Sequence, residues 1–386
     1  MIEKQENGSY PCPVLMNNGE YTMIKIIILE AKNRGVFGGG DVHMDKLSKI
    51  YKEKFGIKIN KIFLPFPSME FNAFSNILSL VKTILVSVDE QYKESFHGAI
   101  VVAPNPYPNY LMAALKVSRT VSGYPVIYFH HLSLSLRHIV NRGVLRSLIN
   151  FSLSLLNLSI CKILNLPIFL DNPGSYNLRG FDIFKDEDAP DELIDSETFI
   201  HKKEFDLCYI GRFEKHKGAI DIIKVVKVLE KAKRKVRVAI VGNINKKFKL
   251  KVLRILKENN VEKNFVFFGT VDNITKLKIL SSSSIYLHLS YEEGWGMSVM
   301  DAASLGIPIV AYDLPAYSYL NGKFNAVKIG DIEGIVKAIE GVLSNYSAAI
   351  SIASEAKNLV DKYNYLEIAK YHIESYEKII EKRKKL

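Results

Sequence analysis

Two acids, two cations and a set of glycines are the residues of this sequence best suited to chemistry. Glu293 and Asp301 lie in the run 290–311. Gly294 and Gly296 follow Glu293, a short helical pattern then runs to Gly306 and Pro308, and an apolar strand follows at Ile309–Ala311. Glycine ahead of a helix lets backbone N–H groups approach a phosphate, and the helix dipole favours the negative charge. Met297 and Ser298 would offer those groups. Asp301, four residues after Met297, shares its face about 6 Å along the axis. One acid at a helix mouth and a second one turn deeper suit a nucleotide-sugar. The anion would sit at the mouth, with the sugar on one side and the ribose on the other. The plainer alternative is a βαβ turn with surface acids.

The cations stand in the loop Gly211–Gly218, directly after the apolar run Asp206–Ile210. Open α/β sheets bind ligands at the carboxyl ends of their strands, where this loop would lie. Arg212 can fork onto phosphate oxygens, and Lys217 can act as a point charge. Surface cations are common in this chain, so a solvated loop is the alternative. Gly38-Gly39-Gly40 follows the first strand pattern. It lacks the spacing of a dinucleotide fingerprint, because Asp41 and His43 stand where glycine would be needed. His130 and His131 end the strand pattern Pro125–Phe129. Asp186-Glu187-Asp188 has the form of a metal-binding acid pair. It sits in a run of acids with no apolar strand before it, which reads as a solvated linker.

Together these motifs resemble the retaining glycosyltransferases of family 4, which have the GT-B fold. The family pattern is Glu-Gly-Phe-Gly with a second Glu eight positions after the first. Glu293 takes the first place, Trp295 replaces Phe, and Asp301 replaces the second Glu, about 1.5 Å shorter in reach. Gly211-Arg212 and Lys217-Gly218 match the family's Gly-Arg…Lys-Gly motif in spacing, and Gly38 and Gly39 match its first glycine motif. The resemblance implies that Glu293 holds the donor sugar and Asp301 the ribose. It implies that Arg212, Lys217 and the N–H groups of Gly38 and Gly39 meet the diphosphate, with no metal or other cofactor. A histidine near the scissile bond is implied as well. His130 is the first choice, with His131 as the alternative. The attack would be front-face, and domain closure would exclude water.

The elements must place these residues. Strand and helix patterns alternate through both halves, which implies parallel sheets with right-handed crossovers. The expected fold class is α/β: two Rossmann-like parallel-sheet domains facing across a cleft. The expected boundaries are a loose tail at 1–21, an acceptor domain at 22–184, an acidic linker at 185–200 and a donor domain at 201–364. A helix at 365–386 would return to the first domain.

At 386 residues, 48% hydrophobic and with a net charge of +11, the chain can build two cores and favours anionic partners. A nucleotide-diphosphate sugar, a lipid-linked or cell-envelope glycan acceptor and an anionic membrane surface fit that charge. No nucleic-acid motif is present, so nucleic acid is not expected. Cys12, Cys161 and Cys208 share no metal or redox spacing, which suits a reducing cytoplasm. Residues 1–20 do not read as a signal peptide.

The segment Ser147–Cys161 is too short to span a bilayer. Ser147, Asn150, Ser154, Asn157 and Cys161 form a polar stripe that leaves a wide apolar face. The first reading is a core helix against a sheet. The second is a membrane-facing helix, with Arg137, Arg142 and Arg146 beside it and a peripheral place on the cytoplasmic face. Two other functions stay open. A sugar-nucleotide epimerase would need acid–base residues for elimination. A non-catalytic nucleotide-sugar binder would have Asp301 as its mark.

Overall fold

The computed structural model describes residues 13–15, 21–32, 39–65, 90–105, 107–129, 144–171, 178–191 and 202–385. The chain divides into two units. The first holds the residues up to Ser135, Leu148–Asp188 and Tyr365–Leu386. The second holds Leu136–Ser147 and Ala189–Asn364.

In the first unit, β1 (Pro13–Leu15) and β2 (Tyr21–Met23) pair antiparallel. Composition suggests a loose tail for this stretch, and the structure pairs part of it. Val14, Tyr21 and Thr22 favour extended backbone. There follow β3 (Lys25–Lys32), α1 (Gly39–Phe55), β4 (Lys58–Pro65) and α2 (Glu90–Ser95). Next come β5 (Ile100–Ala103), α3 (Pro108–Thr120), β6 (Tyr124–Phe129) and α4 (Val144–Ile163). β7 (Ile168–Leu170) and β8 (Ile183–Lys185) complete the sheet. Its order is β4-β3-β5-β6-β7-β8, all parallel. Ile26–Leu29 and Ile100–Ala103 are buried on both faces, so these strands read as continuous apolar runs rather than alternating ones.

The second unit runs β9 (Phe205–Ile210), α5 (Ala219–Lys231), β10 (Val238–Val241), α6 (Lys246–Glu258) and β11 (Phe265–Gly269). It continues with α7 (Asn273–Ser281), β12 (Ser283–His288), α8 (Met297–Ser304), β13 (Ile309–Tyr312) and β14 (Asn325–Val327). Helices α9 (Ile332–Ser344) and α10 (Tyr346–Val360) close it. The parallel order is β11-β10-β9-β12-β13-β14. Strand order reverses between β9 and β12, which makes a topological switch point there.

The last helix, α11 (Tyr365–Lys384), belongs to the first unit. Its His372 is fully buried, and His372 Nδ1 lies 3.0 Å from the Tyr51 hydroxyl and 3.3 Å from that of Tyr128. The hydroxyls of Tyr128 and Tyr376 are 2.6 Å apart.

Two sequence expectations are corrected here. Asp186, Asp188 and Asp191 are buried, not solvated linker acids. Asp186 and Asp188 bracket His43 of α1, at 3.0 Å from Nε2 and 3.2 Å from Nδ1. Burial alone would lower the His43 pKa, but the two carboxylates outweigh it and hold it well above the usual value. Tyr365 of α11 donates to Asp188. Composition announced solvation, whereas His43, 143 and 145 residues away in sequence, pairs with Asp186 and Asp188, and Lys276, 85 residues away, pairs with Asp191. The rest of the expected linker, from 192 to 200, lies outside the described residues.

Helix α4 packs on the core, as the first reading expects, and the second correction concerns which face it turns inward. Its polar stripe turns inward: Ser154, Asn157 and Cys161 are buried beside Leu158. Leu148, Leu155, Leu156 and Ile163 are exposed. Ser154 and Cys161 are small side chains on this inward face, and Leu158 and Cys161 join the core under it. No helix among the described residues is long and apolar enough to cross a membrane.

Candidate active site

The switch point of the second unit gathers two loops. One leaves β9 through Gly211 and makes a single 3-10 turn at Lys215–Lys217 before α5. The other leaves β12 at His288 and enters α8 at Gly296. Their backbones touch: Tyr291 N–H donates to the His216 carbonyl over 3.1 Å. Gly218 takes the left-handed conformation at φ 81°, and a Cβ there would meet the Leu289 carbonyl oxygen at 2.0 Å. Only glycine allows that approach. Gly296 is also left-handed, at φ 84°, and a Cβ would strike the Tyr317 ring at 2.7 Å.

Lys217 and Glu293 meet across these loops, with Nζ 2.7 Å from Oε1 and both side chains largely buried. His288 Nε2 lies 2.9 Å from the same Oε1. Behind it, the Tyr286 hydroxyl is 2.9 Å from His288 Nδ1 and donates to Ser298 Oγ over 2.7 Å. Burial alone would raise the Glu293 carboxyl. The Lys217 ammonium and the His288 hydrogen bond outweigh it, so the group is held well below the usual carboxylate range. Lys217 also points to the Glu292 carbonyl at 3.4 Å. An ammonium has three donors, so one is left beyond these two contacts.

Arg212 is exposed and reaches Glu214 at 3.5 Å. Its backbone is fixed from behind, because the Tyr209 hydroxyl donates to the Arg212 carbonyl over 2.9 Å. The loop is held while the guanidinium faces water. Gly294, Gly296, Met297 and Ser298 lead into and start α8, whose first N–H groups have no acceptor within the helix. Trp295 stacks on Tyr319 at 5.2 Å and donates to the Met300 sulfur.

Asp301 sits deeper, 4% exposed. One oxygen accepts the Asp191 N–H at 2.9 Å, and the other pairs with Lys276 Nζ at 2.9 Å. Lys276 also reaches Asp191, at 3.3 Å. Burial opposes the charge on Lys276, but the two carboxylates raise its pKa. Nothing in the sequence patterns singles out Lys276 or His288. A histidine closing the strand five residues before Glu293 is the available signal for the second.

Of the first-unit candidates, Gly39 opens α1. Gly38, His130, His131, Arg137 and Arg142 lie outside the described residues. No group of acids, histidines and cysteines that could hold a metal occurs among the described residues.

Residues 191–359 match the family described as glycosyl transferases group 1. Among curated proteins, an uncharacterized glycosyltransferase of Methanocaldococcus jannaschii is 30% identical over 211 residues. That match covers 53% of this chain and 51% of the relative, so the chain spans about half the length of the curated relative it matches. The sucrose-phosphate synthase of Thermosynechococcus elongatus superposes with a TM-score of 0.73 at 13% identity, covering 92% of this chain and 99% of that one. The Anabaena protein HepE, solved with UDP and glucose, gives 0.67 at 13% identity over 91% and 99%. The fold is GT-B. Two Rossmann-like parallel sheets with flanking helices define it here.

Proposed function

We propose that this protein is a retaining glycosyltransferase that moves a sugar from a nucleotide-diphosphate sugar to a hydroxyl acceptor without a metal. One observation carries the reading. Lys217 and Glu293 pair at 2.7 Å at the switch point of the second sheet, beside the start of α8. The carboxylate would hold sugar hydroxyls while the neighbouring ammonium meets the diphosphate. Arg212 and the N–H groups of Met297 and Ser298 would complete the phosphate site. Charge develops on the phosphate oxygens as the anomeric bond breaks, and these fixed donors would stabilise it. In a front-face displacement the acceptor oxygen forms the new bond on the side the diphosphate leaves, and its proton passes to the departing phosphate oxygen. Asp301 uses two of its acceptor positions on Lys276 and Asp191, which leaves others for ribose hydroxyls.

His130, or His131, would lie near the scissile bond, and Gly38 and Gly39 would offer backbone N–H groups to the phosphates. The acceptor is a lipid-linked or cell-envelope glycan. The net charge of +11 and the exposed leucines of α4 support that class. The buried, unpaired Cys161 and Cys208 are in keeping with a reducing cytoplasm.

The test is calorimetric titration with UDP, GDP, ADP and their sugar conjugates, without metal and then with magnesium. The complex of HepE with UDP and glucose puts UDP first in the series. Metal-free binding that is lost in Arg212→Ala and Lys217→Ala would support the reading. A folded protein that binds none of these ligands would refute it.

A further inference from the structure

Two buried polar groups beside the donor site have no part in the chemistry described above. Tyr286 and His288 stand on β12, and both are almost wholly buried. A polar pair among apolar neighbours such as Ile285 and Leu287 costs free energy unless it is hydrogen-bonded. The bonds form a chain from the carboxylate to the helix mouth. Glu293 Oε1 meets His288 Nε2 at 2.9 Å, Nδ1 meets the Tyr286 hydroxyl at 2.9 Å, and that hydroxyl meets Ser298 Oγ at 2.7 Å. The Ile210 carbonyl, at 3.3 Å, is the hydroxyl's weaker alternative.

Such a chain has a direction. Glu293 is held ionised and can only accept, so Nε2 carries a hydrogen. With Tyr286 donating to Ser298, its oxygen takes a hydrogen from Nδ1, and the imidazole carries both. The Ser298 hydrogen then turns outward. Removing one proton makes Nδ1 an acceptor. The Tyr286 hydrogen swings to it, and the Ser298 hydrogen turns inward to fill the 2.7 Å contact. Each hydroxyl keeps its own hydrogen, and the proton on Nδ1 is exchanged with solvent. Serines within helices often donate to a carbonyl one turn back, as Ser159, Ser354 and Ser375 do here. Ser298 does not, and no acceptor meets its hydrogen among the described residues. It stands half-buried in the first turn of α8, beside the free N–H groups.

We propose that the Ser298 hydroxyl is a further donor to the diphosphate, and that His288 and Tyr286 are positioning residues that aim it when His288 carries its second proton. The proposal rests on the donor-site reading above. Diphosphate binding and protonation of His288 are then one linked event. The groups around the ring leave His288 as the one that takes the proton. Glu293 faces Nε2, with Lys217 behind it. Tyr209 of β9 stacks on the ring at 6.1 Å, and Tyr317 meets it edge-on at 6.1 Å. Burial pushes the hydroxyls of Tyr209, Tyr286 and Tyr317 well up, so they stay neutral. Arg212 and Glu214 lie beyond Tyr209. Histidine is the side chain whose charge changes near neutrality.

The test is calorimetric titration of the full chain with UDP, GDP and ADP at about pH 8, where a terminal phosphate is fully ionised. Buffers of different ionisation heat report the protons exchanged. Uptake of about one proton per diphosphate is expected, with affinity falling about tenfold for each further pH unit. Ser298→Ala keeps the backbone N–H, yet it should weaken binding about tenfold and abolish the uptake. Ser298→Thr should restore both. Tyr286→Phe frees the Ser298 hydrogen from the chain, so the uptake should vanish and the pH slope should flatten. A merely structural tyrosine would instead weaken binding equally at every pH. Diphosphate binding without proton uptake, or with uptake that survives Tyr286→Phe, would overturn the proposal and leave the donor site standing. A folded parent that binds none of the three would sink the functional reading and this proposal with it.

Discussion

Each unit buries a histidine against carboxylate, and the two clusters are built to opposite ends. In the first unit, His43 lies between Asp186 and Asp188 and is closed over by Tyr365 of α11. In the second, His288 shares the Glu293 carboxylate with Lys217, beside a loop that turns Arg212 to solvent. The perturbed group differs. Burial opposes charge in both places, yet His43 is pushed up by two acids and Glu293 is pushed down by a cation and a hydrogen bond. The first cluster uses its charges on one another and has little left for a ligand. The second has a cation at its rim and a lysine donor to spare. Buried charge alone therefore does not mark a functional site. Location at a switch point and access to solvent separate the two.

The sharpest break would come from removing one acid of the closed cluster. Asp186→Ala should destabilise the first unit by about 3–5 kcal/mol, since it takes one of two carboxylates from a fully enclosed imidazolium and leaves Asp188 alone beside it. Denaturant unfolding measures it. A loss under about 1 kcal/mol would mean that His43 carries no buried charge and that the comparison fails.

At the open cluster the effect should fall on ligand rather than fold. Lys217→Met should weaken donor binding about 10- to 100-fold, the value of a hydrogen bond between charged groups. Calorimetry reads the binding, and the melt should move less than in Asp186→Ala.

pH should separate the clusters further. The raised His43 pKa gives stability that is complete below its usual value of 6.5 and lost as pH rises through the folded value. The depressed Glu293 pKa gives stability present above its usual value of 4.5 and lost as pH falls through the folded one. Each tenfold change in proton affinity between the folded and unfolded chain is worth about 1.4 kcal/mol. His43→Asn should flatten the alkaline limb alone and Glu293→Gln the acid limb alone, as followed by unfolding across pH. The same limb moving in both variants would contradict the assignment.

The smallest change should come at Asp301. Asp301→Asn keeps Lys276 paired with Asp191, so the cost should be about 1 kcal/mol in unfolding experiments. A loss as large as that of Asp186→Ala would make Asp301 chiefly a structural counter-ion.

The fold was legible because parallel strands are buried on both faces and announce themselves as short apolar runs. Ile26–Leu29, Val238–Val241 and Ile309–Tyr312 all read that way. The loop motifs were legible because glycine is required where a backbone carbonyl crowds Gly218 and an aromatic ring crowds Gly296. Three features were not. His288 has no periodic partner in the sequence, since its role depends on two loops meeting. The acids at 186 and 188 look solvated because their partners, His43 and Tyr365, are distant in the chain. Helix α4 misleads because hydropathy finds its stripes but does not say which one faces the sheet.

One arrangement bears on biosynthesis. Helix α11 supplies Tyr365, His372 and Tyr376 to the first unit, yet the ribosome makes it after the whole of the second. Domains usually fold in the order in which they emerge. Here the first sheet emerges early but must keep its buried tyrosine and His43 positions uncovered through the synthesis of residues 189–364. The second unit, nearly continuous in sequence, can complete itself while the first still waits. Exposed aromatic surface during that interval makes the nascent chain a natural client for chaperones. A stop codon placed just before Tyr365 would leave the chain held in that state.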